Sequence, residues 1–197
     1  MSDIMKEVNV TNIVRNPIPI GYIYNIYLNG DIKQSEEYID TFDVMRNAQQ
    51  NDIIYIHINS VGGDVSSTIQ FIRCMGDSKA HIICSVEGYC MSAATMIFLA
   101  ADSYEISDHS VFMFHDYSGG TFGKGGEMYD QITHERRWTE SLLQDVYKDF
   151  MTKEEIESLI KGKDMWMTAK EVSTRLKKMD QLEEEKEKRK SVARKAK

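Results

Sequence analysis

A serine and a histidine occupy positions where α/β proteins often place their chemistry. Ser92 follows a glycine turn at Gly88 and opens a run of small residues that is typical of a helix. A hydroxyl near the positive end of a helix suits a nucleophile, but serine is also a preferred N-cap, and for Ser92 alone capping is the better supported interpretation. The Gly-x-Ser-x-Gly elbow of α/β-hydrolases is absent. His115 follows the strand predicted at Val111–Phe114, just before a glycine-rich loop, where functional groups are common.

A serine nucleophile needs a base and a carboxylate that orients the base. Asp164 is the better candidate for the acid, because it is a charged residue that enters the apolar stretch Met-Trp-Met ahead of a capped helix. Asp116 adjoins His115 in the sequence, but consecutive strand residues point to opposite faces. Asp116 is therefore the poorer partner, and Asp164 is the predicted orienting acid.

The other four histidines are weaker candidates for the base. His57 and His81 lie within apolar strand runs, where a hydrogen-bonded core or edge imidazole is expected. His109 lies in a polar turn, and His134 lies in the middle of a helix among charged residues. His115 therefore stays the predicted base.

The segment Asn59-Ser-Val-Gly-Gly-Asp64 lies where a predicted strand passes into a helix. Glycines at such a point let the backbone approach a ligand and leave amides unpaired, which suits an anion or a developing oxyanion. A tight strand-to-helix turn explains the segment equally well. Neither spacing of the glycine-rich phosphate-binding loops occurs, so the segment is not a nucleotide site.

Strands and helices alternate along the chain. Strands are predicted at Tyr22–Leu28, Ile53–Asn59, His81–Val86, Tyr104–Ile106 and Val111–Phe114. Helices are predicted at 35–48, 65–75, 91–101 and 127–150, and after the capping boxes that begin at Thr152 and Thr168. The long helix carries apolar residues at Met128, Ile132, Trp138, Leu142, Val146 and Phe150. The alternation predicts an α/β fold with a mostly parallel sheet and covering helices.

One domain, residues 21–180, is expected between an N-terminal arm (1–20) and a charged C-terminal tail (181–197). A chain of 197 residues, 42% of them hydrophobic, can bury a sufficient core without disulfides or metal. The longest nearly uncharged run, Cys90–Ala101, is shorter than the roughly 20 apolar residues that span a bilayer. The composition therefore excludes a membrane-spanning protein.

The three cysteines predict a reducing compartment. Cys74, Cys84 and Cys90 are odd in number and form no Cys-x-x-Cys pair, so neither a disulfide framework nor a metal site is expected. The first residues also lack the features of a signal peptide. We expect a cytoplasmic protein.

The charge distribution argues against nucleic acid as a partner, and no membrane partner is expected either. The net charge is -7, but residues 181–197 carry seven Lys or Arg and four Asp or Glu, which leaves -10 for the rest of the chain. A body this acidic is a poor general binder of nucleic acid. Because the chain has no nucleotide-binding loop, no cofactor is expected in it, and any dependence on ATP must come from another chain.

Five segments, taken together, resemble the proteolytic subunit of the Clp protease, the ClpP family. They are Ile26–Ile32, Asn59–Val65, Gly88-x-x-x-Ser92, Phe112–His115 with Gly119-Gly120 shortly after, and Asp164–Val172. Their order and approximate spacing match the family along residues 20 to 180. One such motif would be weak evidence, whereas five in register are specific.

The resemblance implies a ClpP/crotonase-like fold and a serine endopeptidase that acts on unfolded proteins or peptides. Ser92 would be the nucleophile, His115 the base and Asp164 the orienting acid, and the oxyanion-hole amides would be those of Gly63 and Ala93. The helix at about 127–150 would be a handle that interlocks two heptameric rings, and the glycine loop after His115 would lie beside the bound peptide. An unfoldase of the AAA+ class would feed the enclosed chamber.

The sequence also departs from the family pattern. Val61 stands where the family usually has proline, Ala93-Ala94-Thr95 where it has Met-Gly-Ala, and Asp116-Tyr117 where it has Gln-Pro. The N-terminal segment does not closely match the axial loops of the family. Such divergence suits a phage-type or otherwise specialised homologue. The alternatives are a phage prohead maturation protease, a catalytically silent ring subunit and a crotonase-type acyl-CoA enzyme.

Overall fold

The structure is a computed structural model, and it describes residues 20–181. The predicted N-terminal arm and charged tail therefore lie, apart from residues 20 and 181, outside the described residues. The strands are β1 (Ile23–Ile32), β2 (Ile53–Gly63), β3 (His81–Met91), β4 (Ser103–Ile106), β5 (Val111–Phe114) and β6 (Met165–Thr168). The helices are a short 3-10 turn (Ser35–Tyr38), α1 (Ile39–Asn47), α2 (Val65–Asp77), α3 (Ala93–Leu99), α4 (Gly125–Tyr147) and α5 (Lys153–Ile160). Residues 169–181 form a last helix, α6.

All six strands belong to one sheet, in the order β1-β2-β3-β5-β6, with β4 paired to β3. Every pairing is parallel except that of β5 with β6. β3 serves two neighbours in turn, since residues 83–86 pair with β4 and residues 89–91 pair with β5. The predicted fold class, a mostly parallel sheet with covering helices, is confirmed.

The core follows from the two-residue period of the strands. In β2, Ile54, Ile56 and Ile58 are fully buried, whereas Tyr55 and His57 on the opposite face are only half-buried. Phe71 of α2 is also fully buried and packs edge-on against Phe42 of α1, with ring centroids 4.9 Å apart. Each such side chain contributes roughly 1.5–3 kcal/mol to folding. This packing holds the sheet on which the strand ends are arranged.

β3 continues through the turn that the sequence predicts at residues 87–89. The ladder shifts register between Ile58 and Ser60, and Ser60 pairs with Cys90. The Asn59 side chain accepts a hydrogen bond from the Tyr89 amide at 3.0 Å, and a Cβ on Gly88 would lie 2.6 Å from the same oxygen. The glycine therefore admits an asparagine that joins the strands across the irregularity, and the predicted turn is a bulge within a longer strand.

The long helix, Gly125–Tyr147, begins and ends earlier than the predicted 127–150. It ends at Tyr147 because the chain turns there, and the Tyr147 carbonyl accepts the amides of both Phe150 and Met151. Its buried residues are Thr139, Leu143 and Tyr147, a stripe at a spacing of four. The predicted apolar residues lie beside this buried stripe rather than on it, and Trp138, one of them, is 43% exposed. Two of the three buried residues carry hydroxyls, so a pattern of apolar residues alone could not find this face.

Within residues 20–181, no helix combines the length and the apolar content needed to cross a bilayer.

An ion pair joins α5 to α6. Arg175 donates from Nη1 to Glu155 Oε2 at 2.8 Å and from Nη2 to Oε1 at 2.6 Å, and its guanidinium lies 5.7 Å from the Phe150 ring centroid. Both side chains are largely shielded from solvent. The hydrogen bonds from Arg175 lower the pKa of Glu155 to about 2. Two-point contact of this kind is stronger than an ordinary surface ion pair.

We expect Glu155→Gln to lower the thermal unfolding midpoint by about 2–6 °C at pH 7, corresponding to roughly 1–2 kcal/mol. The folded pKa lies below the unfolded one, so the contribution is complete above about pH 4.5 and is lost as the pH falls toward 2. The difference between the two proteins should therefore shrink across that window. Glu154→Gln, an exposed change in the same helical turn, is the control. An equal midpoint shift in both variants, or a difference independent of pH, would contradict this account.

Candidate active site

Ser92 lies at a sharp turn between β3 and α3. Its φ of 54° and ψ of -128° make it the one non-glycine residue with positive φ among residues 20–181. Such a backbone costs about 1–3 kcal/mol and persists only where its surroundings hold it. The Ser92 amide donates to the Met113 carbonyl at 2.8 Å. Ser92 occupies the N-cap position of α3, but its side chain makes no capping hydrogen bond, which leaves the hydroxyl for another partner.

That partner is His115. β3 and β5 are neighbours in the sheet, with Met91 opposite Met113, so the residues after their carboxyl ends lie side by side. His115 Nε2 lies 2.7 Å from Ser92 Oγ, and both residues are half-buried. The geometry is that of a hydroxyl that can pass its proton to an imidazole. The structure thus brings together two of the three predicted catalytic side chains.

Asp164 lies beside this pair without joining it. β5 and β6 are antiparallel with Phe114 opposite Met165, and one further step of that register sets Asp164 opposite His115. The Asp164 side chain is exposed, and within the described part of the chain it makes no hydrogen bond or ion pair with His115. Asp116 is engaged locally, since its carboxylate accepts the Tyr117 amide at 2.9 Å. The described pairing thus ends one residue before His115 and Asp164, and the Asp164 side chain is exposed.

The glycine pair at the end of β2 packs against the serine turn. A Cβ on Gly62 would lie 2.6 Å from Ser92 Cβ and 3.0 Å from the Ala93 nitrogen, and Gly62 has a φ of +95°. Gly63 pairs with Ile32 of β1, and the next amide, that of Asp64, donates to the Ile32 carbonyl at 2.9 Å. Because successive residues of a parallel strand bond to opposite sides, the Gly63 amide points away from β1. The close approach of Gly62 to Ser92 explains why residue 62 is a glycine.

Asp64 shows that the same segment is also a structural turn. Its carboxylate caps α2 by accepting the Ser67 amide at 2.7 Å and the Ser66 hydroxyl at 2.7 Å. Burial acts to raise the pKa of Asp64, but the hydrogen bonds from Ser66 and Ser67 outweigh it and lower the pKa. Within this segment, Asp64 ends the turn by capping α2, whereas Gly62 faces Ser92.

Two contacts at the site were not predicted from the sequence. Thr95 Oγ1 donates to the Ser92 carbonyl at 2.6 Å, and it lies 2.7 Å from the Tyr147 hydroxyl. Gly62 lies in the segment Asn59–Asp64 that the sequence identifies as a candidate, and the adjacent glycines 62 and 63 were the available signal of a close approach. Thr95 and Tyr147 gave none, because a threonine in a small-residue helix and a tyrosine in a long helix are both ordinary.

A serine and a histidine in hydrogen-bonding contact at the carboxyl ends of neighbouring parallel strands are typical of hydrolases that use a serine nucleophile. Comparison with known families agrees with this class. The family model described as Clp protease matches residues 23–175, and the chain belongs to that family. The match confirms the resemblance drawn from the five segments and makes the protein a ClpP-like peptidase. No individually curated protein matches the sequence.

Replacing Gly62 by alanine tests how closely β2 and the serine turn approach each other. We expect Gly62→Ala to lower the thermal midpoint by roughly 6–12 °C, because the new Cβ overlaps Ser92 and the backbone is left-handed, together about 3 kcal/mol. Gly76→Ala in α2 is the matched control, since its Cβ would meet nothing within 4 Å. A Gly62→Ala protein as stable as the Gly76→Ala protein would show that the two segments are further apart than described.

Proposed function

We propose that the protein is a serine endopeptidase that hydrolyses peptide bonds in unfolded proteins or peptides, as the proteolytic subunit of a Clp-like compartmentalised protease. The observation that carries the proposal is the 2.7 Å contact between His115 Nε2 and Ser92 Oγ at a strained strand-to-helix turn. Membership of the Clp protease family supports the reaction class. The proposal adds to this the residues that perform it.

Ser92 Oγ attacks the scissile carbonyl while His115 Nε2 takes the hydroxyl proton. His115 then gives that proton to the leaving amine, which leaves an acyl group on Ser92, and a water activated by the same imidazole releases it. For Ser92 to be the donor, Nε2 must be the unprotonated ring nitrogen, so Nδ1 carries the other proton. An acceptor at Nδ1 would hold that tautomer.

Asp164 is proposed as this acceptor. Residues opposite each other in an antiparallel pair have Cβ atoms about 4.5–5.5 Å apart and share a face of the sheet, and continuing the β5–β6 register by one residue beyond Phe114 and Met165 would pair His115 with Asp164. Because the Asp164 carboxylate is exposed, it has to turn inward to accept from Nδ1. Such a rotation needs no change in the sheet, so the register supports the assignment.

The backbone amides of Gly63 and Ala93 are proposed as the oxyanion hole. Ala93 is the first residue of α3, so its N–H has no acceptor within that helix. The close packing of Gly62, the residue before Gly63, against Ser92 and Ala93 supports this assignment, as does a Gly63 amide that points away from β1. Removal of one such donor typically costs about 3 kcal/mol of transition-state stabilisation.

Assembly into heptameric or double-heptameric rings is proposed as the working state, with an AAA+ unfoldase as a possible partner. The family in general forms ring-like oligomers and works with unfoldases. On this chain, α4 and the loop before it expose large apolar side chains that no other described element covers. They are Phe122, Tyr129, Ile132 and Trp138, which are between 43% and 100% exposed. These exposed apolar side chains support a role for α4 and the preceding loop in contacts between subunits.

Ser92→Ala should abolish hydrolysis of a fluorogenic peptide while leaving the assembly unchanged, because among residues 20–181 the hydroxyl forms a hydrogen bond only with His115. The native mass of both proteins is expected at seven or fourteen times the 22.7 kDa of the chain. Ser158→Ala, in α5 and outside the loop proposed to lie beside the peptide, is the control and should keep full activity. Hydrolysis that persists in Ser92→Ala would overturn the nucleophile, and a monomeric mass would overturn the ring assembly.

Asp164→Asn should lower kcat by about 10²–10⁴-fold with the native mass unchanged, since an amide cannot hold the imidazole in the required tautomer. Asp116→Asn is the matched comparison, as its carboxylate bonds to the Tyr117 amide and lies on the same strand end. We expect it to lose less than about tenfold. If Asp164→Asn were as active as wild type, or if Asp116→Asn were the more damaging change, another carboxylate would orient His115.

A further inference from the structure

A chain of buried hydroxyls links the long helix to the serine turn. Tyr147 and Thr95 are both fully buried, and their hydroxyl oxygens lie 2.7 Å apart. Thr95 Oγ1 also lies 2.6 Å from the Ser92 carbonyl. A carbonyl can only accept, so Thr95 uses its one proton there. The Tyr147 hydroxyl must then donate to Thr95, and the chain runs in one direction, from α4 through α3 to Ser92.

The ring of Tyr147 also contacts the residue that precedes the proposed base, His115. It packs edge-on against Phe114, with ring centroids 5.5 Å apart and an interplanar angle of 82°. Phe114 is the last residue of β5 and directly precedes His115. One side chain of α4 therefore contacts α3, which begins directly after Ser92, and the end of β5, which directly precedes His115.

The Ser92 carbonyl matters because of the group it shares a plane with. The carbonyl of Ser92 and the amide of Ala93 belong to one planar trans peptide, so they point in opposite directions and turn together. Holding the carbonyl against Thr95 holds the Ala93 N–H toward the other side, where the proposed oxyanion would form. The Thr95 amide also donates to the Ser92 carbonyl at 2.9 Å, so the peptide has a second, weaker constraint.

A purely structural role explains the Tyr147 hydroxyl poorly. Burying the Tyr147 hydroxyl beside Thr95 costs its desolvation, whereas a phenylalanine would fill the same space without that cost. Thr95 could also bond to the Ser92 carbonyl without any help, as threonines in helices often do. Burial raises the pKa of Tyr147, so the phenol keeps its proton and remains a donor.

We propose that Tyr147 is a positioning residue for the hydrolytic reaction, acting through Thr95 to fix the Ser92–Ala93 peptide and through Phe114 to support His115. The inference rests on the proposed function, because it assumes that Ser92 and Ala93 carry the reaction. Loss of the Tyr147 hydroxyl leaves the fold and the peptide-binding surface in place but lets the peptide plane tilt. The expected consequence is a loss in kcat with little change in KM, since misaligned oxyanion donors affect the transition state alone.

The test compares Tyr147→Phe, Thr95→Val and the double variant in steady-state peptide hydrolysis, with the native mass of each checked so that the assembled protein is measured. We expect kcat to fall about tenfold in Tyr147→Phe and about 10–100-fold in Thr95→Val, with KM within about twofold of wild type. The double variant should be no worse than Thr95→Val, because the tyrosine hydroxyl acts only through Thr95. Thr95→Ser, which keeps the hydroxyl, should restore kcat to within about threefold.

Tyr38→Phe is the matched control. Tyr38 also packs edge-on in an aromatic cluster, and its hydroxyl accepts a hydrogen bond from the Lys33 amide at 3.0 Å. It is not part of the chain of hydroxyls that links Tyr147 through Thr95 to Ser92. Its kcat should stay at the wild-type value. A Tyr147→Phe enzyme with wild-type kcat, an additive double variant, or a loss confined to KM would overturn the inference. Wild-type protein without hydrolytic activity would instead overturn the proposed function itself.

Discussion

The backbone of Ser92 is the constraint on which the site depends. A non-glycine residue at a φ of 54° is stable only where several contacts hold it, and here they come from four directions. Its amide bonds to β5, its hydroxyl to His115 and its carbonyl to Thr95, while Gly62 fits closely beside its Cβ. Relaxing the turn would give up these contacts together, so the strain is maintained by the same groups that the proposed chemistry uses.

The sheet makes this turn possible through the way β3 is shared. The first part of β3 pairs with β4 and the last part with β5, and the bulge at residues 87–89 of β3, opposite Asn59, keeps β3 paired with β2 on both sides of the change. As a result three carboxyl ends, those of β2, β3 and β5, meet at one point. They supply the glycine pair, Ser92 and His115 respectively. The antiparallel strand β6 enters from the other direction and brings Asp164 to the same edge.

The sequence was sufficient for the fold class, the family and the strand ends that meet, because alternating apolar segments and strand-end positions are local patterns. It was not sufficient where long-range contacts decide. The Ser92 hydroxyl does not cap the helix, because it bonds to His115 at the end of another strand. The predicted turn after Val86 is a bulge, because Asn59 of the neighbouring strand bonds to Tyr89 within it. The buried face of α4 was hidden because Thr139 and Tyr147 are not counted as apolar. The exposed rotamer of Asp164 is a side-chain choice that no sequence pattern encodes.

The central claim is that Ser92 is a nucleophile activated by His115, and covalent labelling with a fluorophosphonate tests it most directly. The probe forms a phosphonyl ester with an activated serine and leaves ordinary serines unmodified. We expect one label per chain, mapped by peptide mass spectrometry to Ser92, and its loss in a His115→Ala variant of unchanged native mass. Wild-type protein that stays unlabelled, a label on another serine, or labelling at an undiminished rate without His115 would contradict the account.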